Sequence, residues 1–78
     1  MFNETLERYL WKGLDYERYR VMRIIPQNTQ NAAIIMKSNN DYDTPWCVEY
    51  RGCGHYFDTF KELQCFYRKR FKRELEDM

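Results

Sequence analysis

The chain lacks any apolar run that approaches the roughly 20 residues of a membrane span. It also lacks charge of one sign. Thirteen Lys and Arg against twelve Asp and Glu leave a net charge of +1, which argues against a globally basic nucleic-acid binder and confines any such activity to a local patch. The three cysteines cannot all pair within one chain, and their spacing is not that of a disulfide scaffold. No phosphate-binding glycine loop of either common type occurs. The N-terminus carries Glu4 and Glu7 where a secretory leader needs basic residues followed by an apolar run. Reduced thiols and no leader give the expectation of a cytoplasmic protein without membrane attachment.

At 78 residues the expectation is one domain over 1–78, with a core of marginal size and no room for a two-lobed enzyme. What the chain has in excess is rings. Seven Tyr, five Phe and two Trp argue against disorder. A core this small can hardly enclose them all, so some should lie at the surface, where aromatics favour interfaces.

The pattern predicts an α+β fold in the order α-β-β-β-(β)-α. Asn3 caps a first helix with Phe2, Leu6, Tyr9 and Leu10 on one arc, and Gly13 stops it near Lys12. Residues 16–25 read as a strand, with Tyr19, Val21, Arg23 and Ile25 on one face and Arg18, Arg20, Met22 and Ile24 on the other. Pro26 ends it. A polar turn leads to a second strand at 32–37, and the loop at 38–45 is rich in Asn and Asp. Residues 46–51 alternate cleanly, with Trp46, Val48 and Tyr50 inward and Cys47, Glu49 and Arg51 outward. Gly52 and Gly54 predict a tight turn or bulge around Cys53, with a short last strand over His55, Tyr56 and Phe57. Thr59 to Glu62 fits a capping box. The helix it opens is expected to run to about Asp77, with Phe60, Leu63, Tyr67, Phe71 and Leu75 on an arc of about 120°. The expected architecture is a small antiparallel sheet, polar on one face, with two helices packed on the other.

Cys47, Cys53, His55 and Cys65 have the composition of a Cys3His zinc site. They lack a paired C-x2-C knuckle, so they read as unrelated thiols beside a turn histidine, and no metal or cofactor is assigned. Cys53 and His55 are close enough in sequence to suggest a thiol nucleophile and its base, but no orienting third group accompanies them. The chain is therefore read as non-enzymatic.

The densest charge run is Arg68-Lys69-Arg70-Phe71-Lys72-Arg73. It suits an acidic protein groove or phosphates. It also suits a solvated helix face, since Glu74, Glu76 and Asp77 follow at i,i+4. Trp11, pointing off its helix's apolar arc, and Phe66, on the flank of the last helix, add aromatic anchors. The leading expectation is a protein-interaction module, monomeric or homodimeric, that contacts its partner through Trp11, Phe66, Arg68, Lys69, Lys72 and Arg73, with the loop at 38–45 as a further surface. The alternative is a small RNA- or DNA-binding domain using Arg18, Arg20, Arg23, Lys61, Arg68 and Lys72.

Two resemblances bear on this. The α-β-β-β-α order resembles the double-stranded-RNA-binding domain in topology. That family carries a Gly-Pro-x-His-like first loop and a lysine-rich start to its last helix. Here those places hold residues 26–31, PQNTQN, and 59–63, TFKEL, so its function is not carried over. Residues 46–67, with the cadence Trp-x-Val-x-Tyr, a glycine turn and then YFDTFKEL, look like small accessory proteins of phages and mobile elements, including anti-CRISPR proteins. That resemblance implies an inhibitor that binds a host nucleic-acid-processing complex and blocks it by steric occlusion.

Overall fold

The structure, a computed structural model, describes residues 17–40 and 44–77. They form four antiparallel strands followed by one helix: β1 (Tyr19–Pro26), β2 (Ala32–Ser38), β3 (Trp46–Tyr50), β4 (Cys53–Phe57) and α1 (Phe60–Phe71). The strands pair in chain order, β1-β2-β3-β4, so each strand lies beside its sequence neighbour. The fold is thus α+β with a single helix among the described residues. The helix expected over residues 3–12 lies outside them, so of the two helices expected on one face α1 is the one found among the described residues. No helix among the described residues is long and apolar enough to cross a membrane.

Residues 32–36 of β2 are a continuous apolar run, as a strand shielded on both faces requires. Ala33 and Ile35 join Val48 of β3 under Leu63 and Tyr67 of α1. Ile34 and Met36 form a second cluster with Cys47 on the opposite face. That face was expected to be polar and solvated. Instead Cys47 is 1% exposed and Glu49 6%.

The alternation expected along β1 fails at Met22. Val21 pairs with Met36 and Arg23 with Ile35, so Met22 is an extra residue in the ladder. A one-residue bulge reverses the facing of everything beyond it. Tyr19 and Val21 consequently join the Ile34–Met36 cluster, while Met22 and Ile25 join the core under α1.

The β3–β4 turn is tighter than the glycine pattern suggested. Arg51 (φ 53°) and Gly52 (φ 82°) are its two central residues. Two successive positive φ values mark the two-residue turn whose twist matches the flanking strands. Arg51 therefore leaves β3, and Cys53 and Gly54 move from the expected turn into β4, which pairs with β3 over its whole length.

The Thr59 cap forms, with Glu62 closing on the Thr59 hydroxyl instead of its backbone N–H. Thr59 Oγ1 accepts from the Glu62 amide at 3.2 Å and donates to the Glu62 carboxylate at 3.1 Å. The far end of α1 departs from expectation. Lys72 is left-handed (φ 61°, ψ 33°), and its amide closes on the Arg68 carbonyl at 2.9 Å. Arg68, Lys69 and Arg70 favour a helix end there, whereas Glu74, Glu76 and Asp77 would oppose the dipole of a longer helix. Turning back lets Leu75 enter the core at 5% exposure. Gln64 Nε2 fixes the return, donating to the Leu75 carbonyl and to Asp77 Oδ1, each at 2.8 Å. The core is tied to the β1–β2 turn by Gln27 Nε2, which donates to the Tyr67 hydroxyl at 2.9 Å.

Candidate interaction surface

α1 lies over β3 and β4, and its Phe66–Arg70 flank faces the β4 edge. Between them is an open groove of about 420 Å³, lined by Tyr50, Arg51, Cys53, His55, Phe66, Arg70 and Phe71. Its position follows from two periodicities. On β4, Cys53, His55 and Phe57 share the face turned toward α1, because they pair with Tyr50, Val48 and Trp46. On α1, Phe66 and Arg70 are one turn apart on the same flank.

The rings of the groove form two contacting groups. His55 and Phe66 lie 4.6 Å apart between centroids, Phe57 and Phe66 5.3 Å, and Tyr50 meets Phe71 nearly edge-on at 5.0 Å. The Arg70 guanidinium is 5.3 Å from the centroids of both Tyr50 and Phe71. Such a contact orients the cation without neutralising it. Arg51, exposed in the turn, adds a second positive charge. Among the described residues neither arginine is paired with a carboxylate. The site therefore presents half-buried aromatic surface and two accessible cations.

The other face of the same hairpin has different chemistry. Burial, followed by the nearby Glu49 carboxylate, pushes the Cys47 thiol up to about 12, although hydrogen bonds from the His55 backbone and the Tyr56 side chain oppose this. Burial also raises Glu49, with His55 acting against it. Tyr56 is raised, first by Cys47 and then by burial. Cys47 is thus an inert packed thiol. The sheet separates it from Cys53 and His55, and Cys65 lies on the opposite flank of α1 beside Lys61 and Arg68. The zinc-like quartet does not converge. Cys53 and His55 do share one face, inside the groove.

The predicted contact residues scatter. Phe66 is in the groove. Arg68 lines a different depression of about 300 Å³ with Lys61, Gln64, Cys65, Glu74 and Leu75. Lys69 is exposed on the outer side of α1, Lys72 is the cap, and Arg73 lies past the helix. The cation run therefore does not form one patch: successive helical residues diverge by about 100°, and the helix stops inside the run. Trp11 lies outside the described residues. Arg18 precedes β1; Arg20, which donates to the Ser38 carbonyl at 3.4 Å, and Arg23 sit on β1, across the sheet from the groove. Of the loop at 38–45, Asn39 is tied to residues 17 and 18 by its side-chain and backbone N–H groups at 2.9 and 2.8 Å, and residues 41–43 lie outside the described residues.

Tyr50, Arg51, Cys53, His55, Arg70 and Phe71 are the groove residues that the contact prediction missed. The Phe66–Arg70 spacing and the alternation of Cys53, His55 and Phe57 were visible in the sequence. The fact that they face one another was not. Compared with protein-family profiles, curated proteins and solved structures, the chain matches none.

Proposed function

We propose that this protein is a non-enzymatic interaction module that binds a partner protein through the groove between β4 and α1. The observation that carries the reading is Arg70, held over two rings at the mouth of an aromatic groove and left free of carboxylates among the described residues. Aromatic and arginine side chains dominate the energetics of protein interfaces. A partner segment with an apolar side chain for the floor and a carboxylate for Arg70 or Arg51 satisfies both parts of the site. The expected contact set accordingly keeps Phe66 and moves from Arg68, Lys69, Lys72 and Arg73 to Arg51, His55 and Arg70. On the resemblance to phage and mobile-element inhibitors, the partner is a component of a host nucleic-acid-processing complex, and the mechanism is occlusion.

The test is partner capture by two charge-reversed pairs. Arg51→Glu with Arg70→Glu is expected to abolish capture, and Arg68→Glu with Lys69→Glu to preserve it. The opposite ranking sinks the assignment. Stacked rings beside cations also suit single-stranded nucleic acid. Oligothymidylate binding that weakens steeply with salt would favour that reading.

A further inference from the structure

β1 and β4 are the edge strands of the sheet. An edge presents backbone donors and acceptors to any extended chain, and proteins usually blunt it with bulges, proline or charge. β1 has all three: the bulge at Met22, Pro26 at its end, and Arg20 and Arg23 along it. β4 has none of them. Its sequence is CGHYF, its register with β3 is unbroken over five pairs, and residues 53–56 are exposed. Tyr56, at 54%, is the exposed large hydrophobic residue among those described. Gly54 is required by the sheet face away from α1, where a Cβ would come within 2.8 Å of Glu49 Oε2 and 3.2 Å of the Tyr56 hydroxyl.

The two-residue turn makes Tyr50–Cys53 a hydrogen-bonded pair. Ladder alternation then directs the N–H and C=O groups of Gly54 and Tyr56 away from β3. These groups lie beside the groove. From these features we infer that an extended, acidic segment of the partner protein adds to β4 as a fifth strand and drops alternate side chains into the groove. This deepens the interaction-module reading and rests on it. Two strand residues span about 6.8 Å, and the helical turn from Phe66 to Arg70 rises about 6 Å. Side chains two apart on the added strand therefore meet Phe66 with His55 and Arg70 with Arg51. The recognised pattern is a large apolar residue and an acid at i and i+2. A repeating ladder of backbone groups selects a peptide, because nucleic acid has no matching donors and acceptors along its backbone.

The probe is an N-acetylated heptapeptide in which threonine alternates with glutamate, phenylalanine and glutamate, titrated into the full chain by amide NMR. Binding is expected to slow amide exchange at Gly54 and Tyr56. Tyr56→Pro removes an outward N–H without breaking the β3–β4 ladder. It should weaken the peptide about tenfold, and Tyr56→Thr much less. If Tyr56→Pro does not fold, amide protection in the unaltered chain decides. Peptide shifts at Arg51 and Arg70 without protection at Gly54 and Tyr56 would overturn strand addition and leave the interaction reading standing. No peptide binding alongside oligothymidylate binding would overturn both. Protection that grows with protein concentration before peptide is added would mean that a second copy occupies the edge, and that also overturns the proposal.

Discussion

Lys72→Gly is a substitution whose sign separates two structures. If α1 ran on to Asp77, position 72 would be helical interior, and glycine would cost about 0.5–1 kcal/mol relative to a good helix former. In the observed structure Lys72 is a left-handed cap at φ 61°. A residue with a Cβ pays about 1–2 kcal/mol for that conformation. Glycine avoids this cost but loses about 0.5–1 kcal/mol through the greater freedom of its unfolded chain. The net expectation is stabilisation by about 0.5–1 kcal/mol. For a chain of this size, each kcal/mol moves the thermal midpoint by about 4–8 °C, so the midpoint should rise by about 2–8 °C. Lys72→Ala removes the same charge and keeps the Cβ, so it should stay near the parent. Urea and thermal unfolding followed by circular dichroism read both variants. If Lys72→Gly is destabilised by about 1 kcal/mol while Lys72→Ala is not, the reasoning about the helix end is refuted.

Two further expectations test the packing behind the site. Leu75→Ala should cost about 2–5 kcal/mol in urea unfolding, because Leu75 fills the core from a segment outside any helix or strand; a cost under about 0.5 kcal/mol would show that the tail does not pack. Burial raises Glu49, so the folded state holds its proton more tightly than the unfolded chain does, and ionisation costs stability. That cost is absent below the ordinary carboxylate value of about 4.3 and complete above the raised one. Glu49→Gln should therefore be the more stable form at neutral pH, with its advantage shrinking on acidification; a pH-independent difference would contradict this.

The parts of this protein written in short-range pattern were legible from the chain. The cap at Thr59, the stop at Pro26, the alternation of Trp46, Val48 and Tyr50, and the arc of Phe60, Leu63, Tyr67 and Phe71 each depend on residues within a turn or a strand of one another. The bulge at Met22 was not legible, because a ladder's register depends on β2 as much as on β1. Nor was the end of α1. The periodic arc continues through Leu75, and only the competition between a longer helix with acids at its C-terminus and a return held by Gln64 decides where the helix stops.

The candidate site divides in the same way. Sequence alone determined that aromatic and basic residues would share the last helix, and that Cys47, Cys53, His55 and Cys65 lacked the spacing of a metal knuckle. The tertiary structure decided which cations line the groove. It placed Arg70 over Tyr50 and Phe71, sent Arg68 to the opposite flank, and left the smooth edge of β4 unpaired among the described residues, beside Phe66. The physical reason is that a helix sets angles among its own residues, whereas a groove is a relation between two elements, and only packing brings them face to face.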